Sequence, residues 1–149
     1  MDVPAITQES SLTIVNTRAE LGRAATWLHD FLAGVGLPDD FSARFLVVLD
    51  EVLSNVVNHA LADAVEGHRE IRVCIRLRPE LMELEVIDDG PAFDPRAVPP
   101  GIMAADRRFG GAGLLFVRAM MDEVRYIRRG DRNCLTLAKK LDKRLTKTG

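Results

Sequence analysis

The chain has 149 residues, 47% of them hydrophobic, which suffices for one good core and leaves no room for a second catalytic domain. Lys and Arg number 20 against 22 Asp and Glu, a net charge of -2 that excludes bulk binding to nucleic acid or to a membrane surface. No apolar run is long enough to span a bilayer, and Met1-Asp2-Val3-Pro4 leads into no basic and apolar signal region, so the expectation is a cytoplasmic single domain over residues 1–149.

Ser11 to Asn16 is a short β-prone run. Thr17, followed three residues later by Glu20, forms a capping-box signature that opens a helix through Ala24, Trp27, Leu28 and Phe31, and Gly34 and Gly36 end it. Leu37-Pro38-Asp39-Asp40 starts a longer helix with acids at its positive end, expected to fade between Asp63 and Gly67. At about 100° per residue, Glu51, Asn55, Asn58 and His59 of that helix fall in one stripe, opposite Phe45, Leu46, Leu49, Leu53, Val56, Val57 and Ala60. Between Asp50 and His68 the only basic side chains are histidines, unlike the mixed charges of an ordinary surface helix, so the polar stripe reads as a cavity edge.

Arg69 to Arg78 alternates Ile71, Val73, Ile75 and Leu77 with polar residues, Pro79-Glu80 turns the chain, and Leu81 to Ile87 returns with Met82, Leu84 and Val86 against Glu83 and Glu85. The spacing predicts a hairpin whose solvent face sets Arg rows beside Glu rows. From Pro91 to Gly113 prolines and glycines replace apolar anchors, the pattern of a lid, placed at about residues 94–110. Leu114 to Met121 resumes helical spacing, and Val124 to Ile127 and Cys134 to Ala138, joined by Gly130-Asp131-Arg132-Asn133, read as a closing hairpin before a charged tail, 139–149, expected to fray. Cys74 and Cys134 lie in strand-like runs without a neighbouring His or Cys, as buried inert thiols do, which argues against zinc and disulfides. The order β, α, α, ββ, loop, α, ββ specifies an α+β fold, a two-layer sandwich of an antiparallel or mixed sheet with helices on one face.

Several residues on this frame carry chemistry. Asp88 closes a buried strand just before Gly90, where an ionised carboxylate can accept from the exocyclic amine of adenine and repel the carbonyl of guanine; a plain turn after a strand accounts for the same residues. Gly110-Gly111-Ala112-Gly113 before a helix offers unobstructed amides at the positive end of its dipole, where phosphates bind, and a flexible connector has the same composition. Arg107 and Arg108 suit outer phosphates or a solvated loop. Asn55 offers one amide oxygen to a magnesium ion, which takes its other ligands from a triphosphate and water. Glu51, one turn earlier, is placed to orient or deprotonate a hydroxyl nucleophile in phosphoryl transfer, or is a helix-surface acid. His59, near the apolar border, reads as a structural hydrogen-bonder.

The order and spacing of these pieces resemble the GHKL (Bergerat-fold) ATPase superfamily. Glu51-x-x-x-Asn55-x-x-x-His59 is similar to its N box, Asp88-x-Gly90 to its first glycine box and Gly111-x-Gly113 to its second. Over nearly the whole chain the sequence is most similar to the anti-sigma-factor serine/threonine kinases, through Gly90-Pro91-Ala92-Phe93-Asp94-Pro95, Gly110 to Leu115, Met121-Asp122-Glu123-Val124 and Arg132-Asn133-Cys134-Leu135-Thr136-Leu137. The resemblance implies the Bergerat ATP-binding fold, ATP and magnesium as cofactors, an antagonist protein phosphorylated on serine or threonine, and a sigma factor held inactive, often by a homodimer. It implies nucleotide contacts from Asn55, Asp88, Gly90, Ala92, Arg107, Arg108, Gly110, Gly111, Ala112 and Gly113, with Asn55 on the metal and Glu51 catalytic. Ala92 stands where a second glycine is common in the superfamily, and Ala112 where this branch has a bulkier aliphatic. No phospho-acceptor helix domain fits in 149 residues, which disfavours a sensor histidine kinase. A module of another class, one that binds ATP and sequesters a partner without transferring phosphate, fits the same motifs.

Overall fold

A computed structural model describes residues 5–94 and 111–141. Strand β1 (Gln8–Val15) leads into helices α1 (Arg18–Val35) and α2 (Asp39–Asn55), the hairpin β2 (Glu70–Arg78) and β3 (Leu81–Asp88), helix α3 (Gly111–Met120) and the hairpin β4 (Glu123–Arg129) and β5 (Arg132–Lys140). The five strands form one sheet in the order β1-β2-β3-β5-β4, with every pairing antiparallel.

Local chemistry sets the helix ends. Thr17 is the N-cap of α1 and its hydroxyl accepts from the Glu20 backbone N–H at 3.3 Å, while the Glu20 carboxylate reaches back to the Val15 N–H at 3.3 Å, so the box clasps the end of β1 as well as the helix. Gly36, at φ 78°, closes α1 in the left-handed conformation, returning its N–H to the Leu32 carbonyl. Asp39 and Asp40 occupy the first turn of α2.

One face of the sheet carries the core. Ile14, Ile71, Val73, Ile75, Met82, Leu84, Val86 and Leu137 pack against Ala24, Leu28 and Leu32 of α1, Phe45, Val48, Leu49, Val52 and Leu53 of α2, and Val117 of α3. The other face is polar and laced with ion pairs. Arg76 bonds Glu85 at 2.7 Å and Glu9 at 2.9 Å, and buried Glu83 is held between Arg78 at 2.5 Å and Arg125 at 2.7 Å. The Arg rows therefore do face Glu rows, but diagonally, since Arg76 stands across from Glu83 in the register and Cys74 across from Glu85. Cys74 and Cys134 are buried free thiols on this face, and burial pushes both above the ordinary thiol range.

Three expectations change. The second helix does not continue in α geometry to Asp63: it ends at Asn55 and passes into a π-helical turn, Val56–Ala60, closed by the Leu61 N–H donating to the Val56 carbonyl at 2.7 Å. This wider turn breaks the 100° progression. Asn58, exposed in that turn, borders the groove between α1 and α2, with Arg18, Leu21 and Ser54. The charged tail does not fray from residue 139, because Lys139 and Lys140 extend β5 across from Met82 and Leu81, and buried Leu141 donates its N–H to the Glu80 carbonyl at 2.9 Å. The last turn is shorter than the composition suggests: Gly130, at φ 58°, makes the tight bend, and Arg132 and Asn133 already belong to β5. The lid at about 94–110 and the rest of the tail, 142–149, lie outside the described residues apart from Asp94.

The π turn also explains a glycine. A Cβ on buried Gly90 would stand 2.6 Å from the Ala60 carbonyl oxygen, a backbone atom that cannot swing aside. Gly90→Ala is expected to cost about 1–3 kcal/mol of stability, the usual penalty of overpacking, because either β3 or the π turn has to shift. Urea denaturation measures this, and a variant as stable as the wild type would contradict the close approach.

Candidate functional site

The ends of α2, β3, β4 and β5 converge on a narrow cleft. Val52, Val56, Ala60, Val86, Phe93, Tyr126 and Leu135 make its walls, and Asn55, Asp88 and Asn133 are its amide and acid groups. The alternation of β3 aims Asp88 to the same side as Val86 and Leu84, into the helical layer, where it is 5% exposed. The next residue, Asp89, forms an ion pair with Arg69 at 2.9 Å.

Asp88 is held through one oxygen. Its Oδ1 accepts from the Gly90 backbone N–H at 2.8 Å and from Asn133 Nδ2 at 2.9 Å. The bond to Gly90 is the turn reading made concrete, and the burial in an apolar slot is the pocket reading; this aspartate meets both. Burial raises its pKa above the usual carboxylate range, opposed by the two donors, with Asp89 adding to the rise and Arg128 opposing it.

Asn55 ends α2 across the cleft. Among the described residues its side-chain Nδ2 is buried without a hydrogen-bond partner. Such a group costs free energy in the empty protein and matches a ligand rich in oxygen. A buried N–H donor of this kind, in an apolar slot that also holds a carboxylate, fits a purine nucleotide, with its amine and its phosphate oxygens, better than an apolar ligand, and the Asn55 Oδ1 is the atom that could hold a metal. Glu51 stands one turn before Asn55, half-buried, and is not among the residues that line the cleft. His59 is half-buried in the π turn. Ala92 is exposed, and Phe93 beside it enters the cleft instead. Gly111, Ala112 and Gly113 form the first turn of α3, so the helix begins three residues before the expected Leu114. Arg107, Arg108 and Gly110 lie outside the described residues.

The model of the histidine kinase-like ATPase domain matches residues 14–139, which takes in the three helices, strands β2 to β4, nearly all of β5 and the cleft, and only the end of β1. The chain belongs to the histidine kinase-like ATPase domain family. This ATPase domain is 35% identical over 129 residues to the serine/threonine-protein kinase BtrW of Bordetella bronchiseptica, covering 79% of this chain and 89% of that protein. Its fold is similar to that in the crystal structure of the RsbU and RsbW domains of a Mycobacterium tuberculosis protein, with a TM-score of 0.62 at 19% identity, covering 91% of this chain and 33% of that one. A second structure, the SiaB-SiaC complex from Pseudomonas aeruginosa, matches with a TM-score of 0.59 at 14% identity over 89% of both chains. These agree with the α+β architecture and with the GHKL resemblance drawn from the motifs.

The cleft of the ATPase domain holds a residue that belongs to one of the sequence motifs, Arg132 to Leu137, and was not assigned to the site from the sequence. Asn133 is 4% exposed and bonds Asp88, yet within Gly130-Asp131-Arg132-Asn133 it looked like one more turn residue. A signal was present: Asn133, Leu135 and Leu137 are spaced by two, so the strand that buries Leu137 and half-buries Leu135 also turns this amide inward.

Proposed function

We propose that this ATPase domain is an ATP-dependent serine/threonine protein kinase that acts as an anti-sigma regulatory factor in a partner-switching system and phosphorylates an antagonist protein. The observation that carries the reading is Asp88, a buried carboxylate in an apolar cleft that also takes in Asn55, whose buried Nδ2 has no hydrogen-bond partner among the described residues. The relative that is a serine/threonine-protein kinase supports the reaction class. The cleft walls bury the base, Asp88 accepts from the adenine amine, and Asn55 directs its amide toward the phosphates. Asn55 would hold a magnesium ion through its amide oxygen, and the ion would supply positive charge to the phosphates. Glu51 orients the acceptor hydroxyl and takes its proton. Gly111, Ala112 and Gly113, at the start of α3, offer backbone amides to phosphate, with Gly110 assigned to the same contact and Arg107 and Arg108 to the outer charge. The partners are the sigma factor held inactive and the antagonist bearing the serine or threonine, with the kinase as a cytoplasmic homodimer.

The second reading, an ATP-binding module that sequesters its partner without phosphoryl transfer, draws on one observation: Glu51 lies outside the cleft lining.

Titration of ATP and GTP into the wild type and Asp88→Asn tests the adenine pocket. ATP is expected to bind at least about tenfold more tightly than GTP, because guanine sets its carbonyl against a buried acceptor. The variant keeps an oxygen for the Gly90 N–H and Asn133 and so presents its NH2 group to the base, a donor against the adenine amine and a match for the guanine carbonyl, so ATP affinity falls and the preference narrows. A role confined to the turn leaves both affinities unchanged, since Asn serves such a turn as well as Asp. The pH dependence has a definite sign. The ionised carboxylate is the acceptor and its pKa is raised, so ATP affinity is full above that pKa and is lost as pH falls through it, at a higher pH than an ordinary aspartate would give. The contribution of Asp88 to the stability of the nucleotide-free protein runs the opposite way, present at low pH and lost as pH rises through the folded pKa.

A further inference from the structure

Asn133 opens the inner face of β5 directly across from Asp88. Its Nδ2 donates to Asp88 Oδ1 at 2.9 Å, to the Pro91 carbonyl at 2.9 Å and more loosely to the Gly90 carbonyl at 3.4 Å. Its Oδ1 accepts from Arg128 Nη1 at 3.1 Å, from the Phe93 backbone N–H at 3.3 Å and from the Tyr126 hydroxyl. Each partner of the nitrogen is an acceptor and each partner of the oxygen is a donor, so one orientation of the amide satisfies them all. Arg128 adds a second tie, donating from Nη1 to the Gly90 carbonyl at 2.7 Å. The carboxylate at the floor of the cleft and the chain from Gly90 to Phe93 thus belong to one hydrogen-bonded unit, with Asn133 at its centre.

Selectivity depends on that fixation. A guanine carries N–H donors beside its carbonyl, and a carboxylate free to turn accepts from those as readily as from the adenine amine. Held by the Gly90 N–H alone, Asp88 would retain that freedom. We propose that Asn133 is the positioning residue for purine selectivity, locking Asp88 Oδ1 and the Gly90–Phe93 backbone into one arrangement so that the other carboxylate oxygen meets the base at a single angle. The proposal rests on the adenine-pocket reading of Asp88 and goes beyond it by assigning discrimination to a residue that acts through the carboxylate.

The test is calorimetric titration of ATP and of GTP, over a range of pH, into the wild type, Asn133→Ser, Tyr126→Phe and Asp88→Asn. Asn133→Ser is expected to lower the ATP-to-GTP preference about tenfold, the equivalent of losing one buried charge-assisted hydrogen bond. It is also expected to move the pH at which ATP affinity is lost upward, because the shorter serine hydroxyl falls back from the carboxylate that the amide N–H favours in its ionised form. Tyr126→Phe keeps the ring in the cleft wall and removes the hydroxyl donor to Asn133, so the preference falls about threefold in the same direction. A purely structural Asn133 predicts a lower melting temperature with preference and pH midpoint both unmoved, and that result overturns the proposal. If Asn133→Ser does not fold, an unchanged preference in Tyr126→Phe overturns it alone. Asp88→Asn separates the layers. Should it collapse the preference while the other two variants do not, the adenine pocket stands and the role of Asn133 fails; should it leave the preference unmoved, the pocket reading fails and the proposal with it.

Discussion

Replacing Glu51 with Gln is expected to slow phosphoryl transfer to the antagonist by about a hundredfold or more while ATP binding survives. Glutamine keeps the length and the hydrogen-bonding reach of the side chain and removes only its ability to take a proton, so the loss falls on the chemical step. Binding is spared because the base and the amide contacts lie elsewhere: Glu51 is not in the cleft wall that Asp88 and Asn55 share. The measurement is transfer of label from radioactive ATP to a purified antagonist, with nucleotide affinity determined in parallel. Wild-type protein that binds ATP and never labels the antagonist favours the sequestering module. A Glu51→Gln enzyme that labels at the wild-type rate removes Glu51 from the reaction and moves the base to another group.

The second large effect concerns Asn55. ATP with magnesium is expected to stabilise the wild type by mass action, about 2.7 kcal/mol at a hundredfold excess over the dissociation constant, and Asn55→Ala should lose most of the magnesium-dependent part. The nucleotide-free variant is expected to melt close to the wild type. The Asn55 Nδ2 is buried and unpartnered among the described residues, so truncation removes a desolvation penalty of about 1–3 kcal/mol that offsets the packing it loses. Stability traded for ligand readiness is a property of a binding position rather than of a core one. Thermal melting with and without ATP and magnesium measures both arms. Equal melting of the wild type in the two conditions would sink the assignment of this cleft to nucleotide.

Much of the fold was legible because the periods were clean. Ile71, Val73 and Ile75 alternate with polar residues, as do Met82, Leu84 and Val86, and each set lies in the core. The capping pair of Thr17 and Glu20 announced α1, because a side-chain bond three residues apart depends on local geometry alone. Within the site, Asp88 and Asn55 were legible from spacing and do face one cleft. The π turn at Val56–Ala60 was not: the apolar period gives no sign of it, and its Ala60 carbonyl lies beside Gly90, thirty residues away in the chain. Asn133 was hidden for a related reason, since its meaning comes from pairing across the sheet rather than from its neighbours in sequence.

The amino-acid sequence by itself determined the α+β class, the caps of α1 and the inner faces of the strands, and it singled out Asp88 and Asn55 as candidates. These follow from side-chain period and from hydrogen bonds within a turn of chain, which are short-range and survive without tertiary context. Only the tertiary structure decided the all-antiparallel order β1-β2-β3-β5-β4, the diagonal pairing of Arg76 with Glu85, and the bonded unit that joins Asp88, Asn133, Arg128 and Tyr126. Each of these sets side by side groups far apart in the chain, and a buried polar atom is satisfied by whatever the packed fold brings within about 3 Å of it.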